Sequence, residues 1–257
     1  MTKALRFGVL IVLACCDLGL GEARQTRQAL VIRGREQSLY IYGNRQGDPV
    51  IVSSGDGGWI HLGPHVADVL SSHGYFVIGF DVRAYLTSFT SGRTTLDPRA
   101  EPGDYRVLAQ FAKQVTGRKP VLIGVSEGAG LSVLAATEPD TKRAITGVVA
   151  LGLPDVNELG WRWRDMVIYI THRAPDEPGF SAGAVVDRVA PLPLAAIHSS
   201  HDEFVPVAQV ERLLDRAKDP KRLWIVEAAN HAFDGGREEF DRRLLEAIAW
   251  VQARSPR

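Results

Sequence analysis

The chain has 257 residues, 45% hydrophobic and 23% charged, a profile that excludes a disordered polymer and allows one sizeable core. Lys plus Arg and Asp plus Glu number 30 each, so the formal net charge is zero and no global attraction to nucleic acid follows.

Lys3 and Arg6 precede an apolar run, Phe7 to Cys16, that is too short to span a bilayer and is followed by Gly19, Gly21 and Ala23. This is the layout of a secretory signal peptide, with cleavage after Ala23, and it predicts a periplasmic or secreted mature chain over residues 24–257. Leu13-Ala14-Cys15 leaves a second reading, in which a cysteine becomes a lipid-anchored N-terminus. An uncleaved anchor is the third. Cys15 and Cys16 are the only cysteines, so the mature chain would hold no disulfide and no cysteine metal site.

Beyond the leader, strand-like and helix-like segments alternate. Ala29–Arg33 and Ser38–Tyr42, joined at Gly34, read as a hairpin. Strands are predicted at 49–53, 75–80, 120–124, 145–151, 192–198 and 222–227. Helices are predicted at 65–73, 104–115, 127–136, 207–217 and 237–253. Short apolar strands separated by amphipathic helices imply one α/β domain, a mostly parallel sheet covered on both faces. Residues 152–191 break the alternation. A connection of about forty residues is well beyond the usual length, and it reads as an insertion over the carboxyl edge of the sheet, a lid.

Ligands of open parallel sheets bind beyond the carboxyl ends of the strands, where three stretches carry chemistry. Ser126, in Ile123-Gly-Val-Ser-Glu-Gly-Ala-Gly130, lies between an apolar strand and a helix, with Gly124 and Gly128 permitting a sharp turn. That context suits a nucleophile elbow, although a packing turn would look similar. Asp202, in His198-Ser-Ser-His-Asp-Glu-Phe-Val-Pro206, could orient a histidine ring or merely cap a turn. Glu203 is a weaker candidate for that role. His231, in Ala228-Ala-Asn-His-Ala-Phe-Asp-Gly-Gly236, sits on a loop after the last strand. The order Ser126, Asp202, His231, each after a successive core strand, is the order of α/β-hydrolases, and it selects Ser126 as the nucleophile.

Acyl transfer also needs backbone donors for an oxyanion. The N–H of Glu127 is one, and the loop Ser53-Ser-Gly-Asp-Gly-Gly-Trp59 should supply the other, from Asp56 or next from Gly57. A phosphate loop would need a lysine and a hydroxyl residue where Trp59 and Ile60 stand. Asp56 and Glu127 also place carboxylates beside the oxyanion hole. They either recognise a cationic acyl group or point to solvent. Trp59 is an expected substrate contact. Trp161 and Trp163, alternating with Arg162 and Arg164, either touch anionic lipid headgroups or are buried in the lid. His61, His65 and His73 fall on or near one helix, without an acidic residue at ligand spacing. No metal or cofactor is predicted.

Three motifs, Ser54-Gly-Asp-Gly-Gly-Trp59, Gly124-Val-Ser-Glu-Gly-Ala129 and His231-Ala-Phe-Asp-Gly235, resemble the VirJ/AcvB family of bacterial virulence proteins. The resemblance runs from about Pro49 to the end of the chain. Val125 and Glu127 depart from the aromatic residues that more often flank the family's serine. The resemblance implies an exported α/β-hydrolase, with Ser126, Asp202 and His231 at the catalytic positions. It further implies release of an aminoacyl group, such as lysyl, from aminoacyl-phosphatidylglycerol, or a link to type IV secretion. The expected function is therefore serine-dependent cleavage of a small-molecule or lipid ester. The alternatives are a general esterase or thioesterase, and a non-catalytic secretion partner.

Overall fold

The computed structural model describes residues 25–92, 94–162 and 177–256. The proposed leader 1–23, with Cys15 and Cys16, and the part of the proposed lid with Trp163 and Arg164 lie outside the described residues. No helix among the described residues is long and apolar enough to cross a membrane.

The predicted hairpin is β1 (Thr26–Ile32) and β2 (Arg35–Tyr42), antiparallel from Thr26 opposite Ile41 to Ile32 opposite Arg35. The chain continues through β3 (Pro49–Ser53), α1 (Leu62–Ser72), β4 (Phe76–Phe80), α2 (Val82–Phe89), α3 (Glu101–Thr116), β5 (Val121–Val125) and α4 (Glu127–Ala135). Then follow α5 (Pro139–Ala144), β6 (Gly147–Leu151), β7 (Val156–Glu158), β8 (Gly179–Ser181), β9 (Leu194–Ser199), α6 (Val207–Arg216), β10 (Lys221–Val226) and α7 (Arg237–Arg254). The eight-stranded sheet runs β1-β2-β4-β3-β5-β6-β9-β10, and it is parallel from β4 through β10.

The strands β3, β5 and β6 are buried at every residue, as a sheet covered on both faces requires. Their alternation divides the core. Leu122, Val148 and Ile51 pack with α2, α3, α4 and α6, while Ile123, Val149 and Val52 pack with α1 and α7. Helix α4 is buried at all nine residues, which is why it shows no amphipathic stripe. The short helices α2 and α5 have no counterpart in the sequence reading. Each is too brief to display a periodic apolar face, and each is fixed locally: Asp81 accepts from the Ala84 N–H at 2.9 Å, and Glu138 accepts from the Thr141 N–H at 2.7 Å.

The described root of the insertion pairs β7 with β8 antiparallel. Asn157 of β7 is fully buried against α4; a Cβ on Gly130 would lie only 1.7 Å from its Oδ1.

Candidate active site

Strand β5 is the fifth of eight, and Ser126 follows its carboxyl end. Its backbone has φ 51° and ψ −116°, a region that side chains with a Cβ rarely adopt. Surrounding contacts fix this geometry. The Ser126 N–H donates to Leu151 O at 2.8 Å, and the Ser126 carbonyl accepts from Ala129 N at 2.8 Å. Close approach on either side depends on missing side chains. A Cβ on Gly124 would meet Gly128 O at 2.1 Å, and one on Gly128 would meet Ser54 O at 2.4 Å and Ser53 O at 2.6 Å. The loop after β3 thus lies directly against the elbow, with the Cβ position of Gly55 3.5 Å from Ser126 Cβ. The N–H groups of Glu127 and Gly128, at the start of α4, precede the first intrahelical bond and carry the positive end of the helix dipole.

Asp202 follows β9. Its fully buried side chain accepts from Phe204 N at 2.9 Å and Val205 N at 2.8 Å through Oδ1, and meets His231 Nδ1 at 2.6 Å through Oδ2. Burial alone would raise this carboxyl. The hydrogen bond and charge of His231 and the two backbone donors outweigh it, and hold the group below the usual carboxylate range. Glu203 does not share that role; its Oε2 accepts from the His231 backbone N–H at 2.7 Å and so positions the loop. The imidazole fits because residue 152 is glycine at φ 60°, where a Cβ would stand 2.5 Å from His231 Cε1. Phe204 meets the His231 ring edge-on, with centroids 5.5 Å apart.

His198, noted in the sequence only as a neighbour of Asp202, is fully buried behind it. Its Nε2 lies 2.8 Å from Val205 O and 3.8 Å from Asp202 Oδ2. Desolvation lowers its basicity, despite the Val205 carbonyl and the Asp202 charge. It backs the carboxylate as a neutral ring donating to Val205 O.

Ser126 and His231 open into one cavity of about 560 Å³, within the range of small-ligand sites. No hydrogen bond joins Ser126 Oγ to His231 in this structure; such bonds are often long before substrate is bound. Asp56, Gly57 and Glu127 line the same cavity, joined by Glu158 and Glu203. Glu158, on β7, was not singled out in the sequence, where no local motif marks it. The Glu127 side chain does not point to bulk solvent: it is 6% exposed. Burial first, then the Glu158 and Asp56 charges, push its carboxyl well above the usual range, against a lowering backbone hydrogen bond.

Two of the three expected tryptophan contacts, Trp59 and Trp161, stand outside the cavity lining. Trp59 is buried and stacks on Tyr40 with centroids 4.9 Å apart, while its Nε1 donates to Tyr42 Oη at 3.2 Å. Its ring fills the space beside Gly79, so it anchors the loop after β3 from behind and does not line the cavity. Trp161 likewise lies outside the cavity lining, partly buried on the core beneath the Arg83 guanidinium at 5.5 Å. Trp163 lies outside the described residues. Of the predicted histidine group, His61 lines the cavity, whereas His65 meets Asp241 of α7 at 2.7 Å, an acidic partner that sequence spacing could not reveal.

Residues 48–159 match the model of the family described as bacterial virulence protein (VirJ). An uncharacterised protein of Bacillus subtilis, YqkD, is 41% identical over 49 residues; the match covers 19% of this chain and 16% of that protein. An esterase of Pyrococcus furiosus superposes with a TM-score of 0.69 at 19% identity, covering 90% of this chain and 92% of that one. The α/β hydrolase GrgF from a Penicillium species gives 0.66 at 14% identity, covering 90% and 99%. A membrane phospholipase A described as a bacterial virulence factor gives 0.62 at 14% identity, covering 89% and 87%. Identities this low establish the fold alone: it is the α/β-hydrolase fold.

Proposed function

We propose that this chain, which carries a VirJ-type segment on an α/β-hydrolase fold, is a serine hydrolase of carboxylic esters. The observation that supports this best is the Asp202–His231 pair, at 2.6 Å, facing the cavity into which the backbone-constrained Ser126 opens. In the proposed sequence, Ser126 Oγ attacks the ester carbonyl as His231 Nε2 takes its proton. Asp202 holds the ring by Nδ1 and stabilises the imidazolium. The oxyanion forms against the N–H of Glu127 and that of Asp56 or Gly57. His231 then returns the proton to the departing alcohol. Water, activated by the same ring, releases the acyl group from Ser126.

The lining narrows the substrate. Four acidic residues, Asp56, Glu127, Glu158 and Glu203, line the cavity with the reacting serine, while Ile60 and Val156 contribute exposed apolar surface. An ester with a cationic acyl group and an apolar alcohol fits both, and a lysyl ester of phosphatidylglycerol is the specific proposal. A lipid substrate would bring the chain to a membrane surface, in keeping with the proposed export to the periplasm.

A fluorophosphonate probe tests the chemistry. The wild type should label and Ser126→Ala should not. Absence of labelling in folded wild type would instead favour a non-catalytic binding role. Extracted lipids containing lysyl-phosphatidylglycerol, compared before and after incubation, test the substrate.

A further inference from the structure

Glu127 poses a problem for the reaction just described. Its backbone N–H is the proposed donor to the oxyanion, and the residue that carries this acid lines the same cavity. An ionised carboxylate there would oppose the negative charge that the hole exists to stabilise. The side chain is also 6% exposed, and its Oε1 is buried with no hydrogen-bond partner, although the carboxyl accepts a hydrogen bond from the Glu158 backbone N–H. A buried acid left in this condition keeps its proton unless a cation arrives.

We infer that Glu127 is the specificity-determining residue of this cavity: it holds a proton when the acyl group is neutral and exchanges that proton for a substrate's ammonium when the acyl group is cationic. The inference rests on the hydrolase reading of the same site and adds a proton-linked selectivity to it. In the exchange, the O–H bond of the Glu127 carboxyl breaks and its proton passes to buffer. The carboxylate left behind accepts a charge-assisted hydrogen bond from the incoming ammonium. The charge beside the oxyanion hole is then compensated in both states, by a proton in one and by substrate in the other.

The groups facing Glu127 favour this exchange. Glu158 of β7 and Asp56 of the loop after β3 act on it electrostatically, and Tyr105 of α3 lies within its field. His61, Glu203 and His231 share the cavity. Ionisation next to two other acidic groups is disfavoured until a positive charge enters, which agrees with the upward displacement of the Glu127 carboxyl.

The test compares 2-naphthyl esters of 6-aminohexanoate and heptanoate, acyl chains of equal length that differ in one ammonium. That amine stays charged throughout a working window of roughly pH 6–9. For wild type, kcat/KM for the heptanoyl ester should fall on the alkaline side while the 6-aminohexanoyl ester is sustained. The selectivity ratio should therefore climb by about tenfold or more. In Glu127→Gln the ratio should drop at least about tenfold at the alkaline end and become flat with pH. A ratio that keeps its wild-type size and slope in this variant overturns the inference. Thermal melting establishes that the variant folds.

Calorimetric titration of wild type with pentane-1,5-diamine gives a readout independent of turnover and of the variant. Binding should release protons, seen as a heat that varies with the ionisation enthalpy of the buffer. No binding, or binding without proton release, overturns the exchange. If fluorophosphonate fails to label the wild type, the hydrolase reading falls, and the calorimetric result alone still decides whether Glu127 trades a proton for a cation.

Discussion

Two buried acids of this chain do different things. Glu127 lines a cavity. Glu101, in the first turn of α3, is fully buried, and neither of its carboxyl oxygens has a hydrogen-bond partner. Burial first, then the neighbouring Asp104, raise its carboxyl well above the ordinary value, with Arg33 opposing. A group raised in the folded state contributes stability that is complete below its unfolded value and is lost as pH rises through the folded one. Glu101→Gln removes this titration. The variant should melt above wild type at pH 8, and the gap should close as pH falls toward the range of an ordinary carboxylate, roughly 4 to 5. Parallel melting curves at every pH would show that Glu101 is not held neutral. Each of the three candidate catalytic residues is visible in the sequence because each sits in a short stretch with its own turn chemistry. The positions of Trp59, Trp161 and Glu158 are not visible in this way, because nothing local says whether a side chain faces a cavity or a core.

Helix α4 and the loop after β3 form the junction on which the proposed site depends. Their backbones meet where residue 128 has no side chain, with carbonyl oxygens of Ser53 and Ser54 occupying the place of a Cβ. Gly128→Ala should therefore cost about 2–4 kcal/mol in urea unfolding, and it should slow fluorophosphonate labelling by displacing Ser126. Gly103 in α3 is the control, since a Cβ there meets nothing within 4 Å. Gly103→Ala should be neutral or stabilising by about 0.5–1 kcal/mol. Equal losses at both positions would mean that the junction is looser than described. The motif Gly124-Val-Ser-Glu-Gly displays its glycines in the sequence, but which contact each one permits is a property of two elements brought together. Short α2 and α5 escaped the sequence reading for a related reason: a helix of two turns shows no repeat, and its capping and packing decide it.

At the scale of the whole molecule, one sheet carries two apolar faces. Leu122 and Ile123 are adjacent on β5, both fully buried, yet they belong to opposite sides of the sheet. Truncation of either to alanine should lower stability by about 2–5 kcal/mol. Both losses should appear in a single denaturation transition, because the same central strand anchors the two layers. A variant that melts one face ahead of the other would contradict that coupling. The proposed catalytic site depends on this arrangement too. Ser126, Asp202 and His231 follow β5, β9 and β10, and the parallel order of those strands delivers their carboxyl ends to one side.

Periodicity and turn chemistry along the chain sufficed for the strands from β1 through β10 that form the main sheet, for the longer helices, and for the order of the three candidate catalytic residues. These are local signals, repeated every two or 3.6 residues or confined to one loop. Only the folded chain decided that Glu203 holds the His231 backbone and not its ring, that Trp59 stands behind its loop, and that Glu127 and Glu158 share one cavity. Those outcomes depend on the distance between residues far apart in sequence, which packing sets and no local pattern encodes.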